Sequence, residues 1–93
     1  LEKLIAETER EMQAVRDAEQ RKDLQDLDAL THHLRSSWEI LRADHPLREL
    51  YKHLHGSAAP DYEALNKAVT AVLNMGVEII RLAKEERRKY NNG

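Results

Sequence analysis

The five histidines are the side chains of this sequence best suited to chemistry, because there is no cysteine to act as a nucleophile or thiolate ligand. An unprotonated imidazole nitrogen is both a nucleophile and a metal ligand at neutral pH. No two histidines are three or four residues apart, the spacing that places two ligands on one helix face, so we expect no metal site. His32 and His33, neighbours in a predicted helix, are the candidates of interest.

His32 is predicted to stand on the outer face of its helix. At about 100° per residue, it lies about 140° from Leu27, and Arg35 lies on its flank. The leucines and the tryptophan of the same helix form the stripe that faces the core, namely Leu27, Leu30, Leu34, Trp38 and Leu41. Small or apolar residues surround the histidine on the outside, namely Ala29, Ser36, Ile40 and Ala43. The pattern predicts an accessible imidazole beside a cation, with an ordinary solvated histidine as the alternative. His33 falls at the boundary of the core.

Four helices must position these residues. Apolar periodicity places them at about 1–20, 24–43, 46–55 and 61–89, with Asp23 as an N-cap, a connection at 57–60 and a frayed tail at 91–93. The third helix is expected to turn Leu47, Leu50, Tyr51 and Leu54 inward. Because all connections are short, we predict one domain over 1–90, an all-α, antiparallel up-down four-helix bundle.

The composition excludes several classes of function. The net charge of −2, from 15 basic and 17 acidic residues, gives no field that favours nucleic acid or an anionic membrane. Three glycines are too few for a phosphate-binding loop, and we expect no cofactor. The absence of cysteine fits a reducing compartment, and we expect a cytoplasmic domain. The charge balance predicts no membrane contact.

The segment Thr31-His32-His33-Leu34-Arg35-Ser36-Ser37 resembles the core motif of histidine phosphotransfer (HPt) domains, in which Ala-His-x-Leu-Lys-Gly-Ser surrounds a phospho-accepting histidine. Further similarity lies outside the motif, at Glu7-Thr8, Met12, Lys22-Asp23, Leu27, Leu30 and Leu47. Three positions depart from the family pattern. Arg35 replaces a lysine, Ser36 replaces a glycine, and Arg42 stands where the family often has a second glycine.

The resemblance implies a carrier in a two-component phosphorelay. His32 would accept a phosphoryl group from a receiver-domain aspartate and pass it to another receiver, with Arg35 stabilising its charge. Magnesium and the acidic pocket belong to the receiver in this family, so the domain would be a phosphocarrier without turnover of its own. The residues implied in receiver docking are Ala29, His33, Ser36, Glu39, Ile40 and Ala43.

The residues leave other interpretations open. The domain would be monomeric. It would be either a free protein or part of a hybrid sensor histidine kinase, and the abrupt start at Leu1 favours the second. A different class of function is a helical adaptor or dimerisation module that binds through Ala29, Ile40 and Ala43 without chemistry. Only the carrier requires His32.

Overall fold

Four α-helices and no strand make up the part of the chain that the computed structural model describes, residues 2–56 and 61–91. They are α1 (Glu2–Gln20), α2 (Leu24–Ile40), α3 (His45–Leu54) and α4 (Tyr62–Asn91). The all-α prediction is confirmed for these residues. Leu1, the predicted connection at 57–60 and residues 92–93 of the predicted tail lie outside them.

The turn between α1 and α2 is built by hydrogen bonds that end one helix and begin the next. Lys22 has a φ of 54°, and its amide donates to the Glu19 carbonyl at 2.9 Å. The Asp23 amide donates to the Ala18 carbonyl, also at 2.9 Å, which completes a Schellman motif. Asp23 then caps α2, because its side chain accepts from the Asp26 amide at 3.0 Å. The predicted N-cap is confirmed.

Helix α2 ends at Ile40, three residues before the predicted end at 43. The Arg42 amide donates to the Glu39 carbonyl at 3.0 Å, and the Ala43 amide donates to the Trp38 carbonyl at 2.8 Å. Arg42 has a φ of 57°, in the left-handed region that ends a helix in a second Schellman motif.

This early end moves two side chains from their predicted places. Leu41, predicted to face the core, is 44% exposed because it lies at the C-cap of α2. Ala43, predicted to lie on the outer docking face, is only 7% exposed, because the chain turns inward at Arg42. The prediction that Ala43 lies on the outer face with the other docking residues is therefore wrong. A helical wheel extended past Ile40 gives both residues the wrong orientation.

The core lies where the apolar stripes of the four helices meet. Helix α1 packs against α2 and α4, and α3 packs against the same two helices. Trp38, Leu27 and Leu34 from α2 are all at most 2% exposed. The buried stripe of α2 thus fixes which of its residues face outward.

The ends of α1 and α4 are joined by polar contacts, and their middles are in close contact. Arg87 donates to Glu2 at 2.8 Å, and Asn66 donates to Glu19 at 2.9 Å. Gly76 lies against the Met12 side chain, so that an added Cβ would be 2.6 Å from Met12 Cγ. The helix α1 is therefore seated on α4 along most of its length.

Candidate functional site

His32 stands at the centre of α2 with its side chain exposed to solvent. The residue before it, Thr31, is buried, and its hydroxyl donates to the Leu27 carbonyl at 2.7 Å. Leu34, two residues after it, is 1% exposed. These buried neighbours fix the rotation of α2 about its axis. His32 therefore lies on the outside of the helix, as the sequence predicts.

A line of exposed residues runs along the outer side of α2. This docking ridge consists of Ala29, His32, Ser36 and Ile40. Ile40 is 84% exposed, the largest exposed fraction among the large apolar side chains of the described residues. Three of the predicted docking residues therefore lie on one surface with His32, and the predicted docking residue Glu39 is exposed beside them.

A groove between α2 and α3 borders the imidazole of His32. Its volume is about 310 Å³. The residues that line this His32 groove come from two helices, namely Thr31, His32 and Arg35 from α2 and Leu47, Arg48, Tyr51 and Lys52 from α3. The predicted neighbour Arg35 therefore shares a groove with His32. The groove also contains two cations that sequence reasoning missed.

The three cations of the His32 groove each contact a carboxylate of their own segment. Arg35 Nε lies 3.0 Å from Glu39, Arg48 Nε lies 3.3 Å from Asp44, and Lys52 Nζ lies 3.4 Å from Glu49. The cationic side chains are between 49% and 71% exposed.

Exposed pairs of this kind contribute only about 0–1 kcal/mol, so a stronger anion displaces the carboxylates at low cost. A phosphoryl group with several charged oxygens is such an anion. The groove is thus suited to an oxyanion held close to the His32 ring.

His33 lies on the opposite flank of α2 and contacts α1. Its Nε2 is 3.1 Å from the Glu11 carboxylate. Burial raises the pKa of Glu11 above its usual value of 4.5, and the nearby His33 opposes that shift in part. His33 is therefore separated from the His32 groove. Its ring turns toward α1, and its part in docking stays a prediction.

Tyr51 departs from its predicted inward orientation. It is 45% exposed and lines the His32 groove, whereas Leu47 and Leu50 fill the core. The signal that could have revealed this is spacing. Tyr51 and Lys52 follow Arg48 by three and four residues, and His55, the C-cap of α3, follows them by four and three residues, which places all four on one face of the helix.

Neither a metal centre nor a membrane span is found in the described ranges. No group of three or more histidine, aspartate or glutamate residues is placed to hold a metal ion there. Within residues 2–56 and 61–91, none of the helices combines the length and hydropathy needed to cross a bilayer.

Comparisons with known proteins add no identification. No protein-family model, no curated protein and no solved structure matches the chain. The assignment of function therefore depends on the geometry around His32 and on the resemblance of its motif.

Proposed function

We propose that this chain is a histidine phosphotransfer domain that carries a phosphoryl group on His32 between receiver domains. The observation that carries the proposal is the exposed His32 ring at a groove with three cations, Arg35, Arg48 and Lys52. An ordinary solvated histidine needs no such surroundings. A phospho-accepting histidine benefits from them because phosphoryl transfer depends mostly on alignment and on neutralisation of the oxygens.

In the proposed step the lone pair of an unprotonated His32 nitrogen attacks the phosphorus of an aspartyl phosphate on the receiver. The bond between phosphorus and nitrogen forms as the bond to the aspartate oxygen breaks, and the electron pair returns to the aspartate carboxylate. The reverse reaction on a second receiver restores the free imidazole. This chain supplies the nucleophile, and the receiver supplies magnesium and its acidic pocket.

The three groove cations would exchange partners during this step. Each is held by a nearby carboxylate in the free domain, and the incoming phosphoryl oxygens compete for the same guanidinium and ammonium groups. Arg35 approaches from α2, whereas Arg48 and Lys52 approach from α3. The charge of the phosphorylated state would thus be neutralised from two sides.

The docking ridge would receive the receiver domain. Ala29 and Ser36 are small enough to leave the His32 ring open to a partner's pocket, and Ile40 offers apolar contact beyond it. Glu39 would lie at the edge of this contact.

Backbone geometry also supports the resemblance to the family. Arg42 stands where HPt domains often have their second glycine, and its φ of 57° lies in the region that favours glycine. A position where the family often has glycine thus adopts a conformation that glycine favours, although the residue here is arginine.

We propose the antiparallel up-down arrangement for the bundle. Contacts at both ends of one helix pair support it, because Glu2 meets Arg87 and Glu19 meets Asn66. The proposal also includes a monomeric, cytoplasmic domain, either free or part of a hybrid histidine kinase.

The test is transfer of labelled phosphate from a phosphorylated receiver domain. We expect label on the wild-type chain that is labile to acid and stable to base, as a phosphoramidate is. His32→Gln should lose the label, and the matched variant His33→Gln should keep it. Label that persists in His32→Gln would refute the assignment of the acceptor.

The second candidate is a helical adaptor or dimerisation module without chemistry. The 84% exposure of Ile40 favours it equally, since any partner could cover that side chain. An adaptor would bind its partner through Ile40 with the same affinity in wild type and in His32→Gln, and would take no label from any receiver.

A further inference from the structure

Tyr51 forms a wall of the His32 groove, and a contact chain to α2 fixes its ring. We propose that Tyr51 is a positioning residue that shields phosphohistidine from water, and that His55 and Asp28 hold it in place. The inference rests on the proposed function of His32, because it concerns the lifetime of the group that His32 would carry.

The ring of Tyr51 is stacked on the ring of His55. The two centroids are 4.1 Å apart and the planes meet at 26°. A tyrosine that is 45% exposed on a helix surface would otherwise sample several rotamers. Stacking against His55, four residues later at the C-cap of α3, restricts that freedom and keeps the ring beside the groove.

His55 is in turn attached to α2. Its Nε2 lies 2.7 Å from the Asp28 carboxylate, with both side chains partly exposed. Asp28 precedes His32 by four residues, so it lies one helical turn away on the same side of α2. The chain Asp28–His55–Tyr51 therefore bridges from α2 to α3 and returns to the groove that contains His32.

The reaction that Tyr51 would slow is hydrolysis. A water oxygen forms a bond to phosphorus, the bond between phosphorus and the His32 nitrogen breaks, and the electron pair returns to the ring. Inorganic phosphate leaves, and the ring regains the protonation state it had before transfer. Removal of the Tyr51 ring opens the groove to water beside that bond.

The experiment measures the half-life of labelled phosphohistidine on the purified domain after the receiver has been removed. We expect Tyr51→Ala to shorten the half-life about threefold to tenfold, and Tyr51→Phe to retain it, because the ring rather than the hydroxyl gives the shielding. His55→Ala should shorten it by a similar factor. The double variant should be no faster than Tyr51→Ala alone, since His55 acts through Tyr51.

Two controls separate this role from a general loss of structure. His53→Ala removes an exposed histidine within α3, two residues before His55, and should leave the half-life unchanged. In urea, where the groove is absent, all variants should hydrolyse at one common rate.

The outcomes are distinct. Equal half-lives in wild type and Tyr51→Ala would refute this inference while leaving the acceptor role of His32 intact. Additive effects of Tyr51→Ala and His55→Ala would refute the bridge. A wild-type chain that never takes label would refute the proposed function itself.

Discussion

His32 and His33 are neighbours in the sequence, yet α2 turns them toward different helices. His32 borders a groove with three cations on the side of α3, and His33 lies 3.1 Å from a carboxylate of α1. A rotation of about 100° per residue is enough to give identical side chains opposite electrostatic surroundings. The side of α3 favours an anion, and the side of α1 favours a cation. The difference shows that the position on the helix, rather than the residue type, determines the surroundings of each ring, and under the proposed function it would select the acceptor.

A bulky side chain placed beside only one of the two histidines is expected to have the largest effect on this comparison. Ser36 lies four residues after His32, and Ser37 lies four residues after His33, and both are exposed. We expect Ser36→Leu to slow transfer from the receiver about 100-fold, because a displaced partner can no longer align its aspartyl phosphate with the ring.

The matched variant Ser37→Leu should transfer at close to the wild-type rate, since its bulk lies on the flank of α1. Stopped-flow or quenched labelling measures the rate of phosphoryl transfer in both variants. Equal losses in the two variants would mean that the partner does not distinguish the flanks.

A substitution in the contact between α1 and α4 is expected to have the next largest effect, a loss of stability. A side chain at Gly76 would overlap Met12, the residue after Glu11, so Gly76→Val is expected to lower the free energy of unfolding by about 2 kcal/mol. Urea denaturation measures this loss. Gly56→Val is the control, because a Cβ there would meet its nearest atom at 3.4 Å, an ordinary contact.

Because the perturbation is on the α1 side, labelling of His32 in the folded fraction should not change. A defect in labelling that exceeds the unfolded fraction would show that α1 also shapes the acceptor site.

Removal of the two α3 cations tests how much the surroundings of His32 contribute to the difference between the two histidines. We expect the double variant Arg48→Ala/Lys52→Ala to transfer about tenfold more slowly, the cost of about one lost hydrogen bond to a charged group. Arg10→Ala/Arg16→Ala changes the net charge equally at exposed positions of α1 and should transfer normally. Similar slowing in both double variants would indicate long-range charge rather than contact in the groove.

The smallest effect is expected at the partner of His33. Because burial raises the pKa of Glu11, the folded chain binds that proton more tightly than the unfolded chain, and this contribution to stability declines as pH rises above 4.5. Glu11→Gln should remove this part of the pH dependence and change stability at neutral pH by only a few tenths of a kcal/mol.

Urea unfolding across this pH range tests the point, with the exposed Glu9→Gln as control. A loss of more than about 1 kcal/mol in Glu11→Gln would show that the pair with His33 holds α1 to α2 more strongly than an exposed pair usually does.

Local patterns were sufficient to predict the helices and the exposure of His32. Apolar spacing and the cap at Asp23 determine where α2 begins, and the helical period turns His32 outward. After Ile40 the helical period no longer gives the orientation of the side chains, because Arg42 adopts a left-handed conformation. An arginine in the sequence does not indicate such a conformation. This is why Ala43 was misplaced on the docking face.

The other half of the site was not predictable from local pattern. Arg48, Tyr51 and Lys52 reach His32 only because α3 packs against α2 at a particular register, and that register depends on the joint packing of all four helices. The spacing shows that these three residues share a face of α3. It does not show which helix packs opposite that face.

All the residues that line the His32 groove fall between Thr31 and Lys52, within two consecutive helices and the four-residue loop at 41–44. The groove is thereby built by two consecutive helices, while α1 and α4 pack against them. Such a division leaves α1 and α4 free to diverge in sequence so long as they hold α2 and α3 at their present angle.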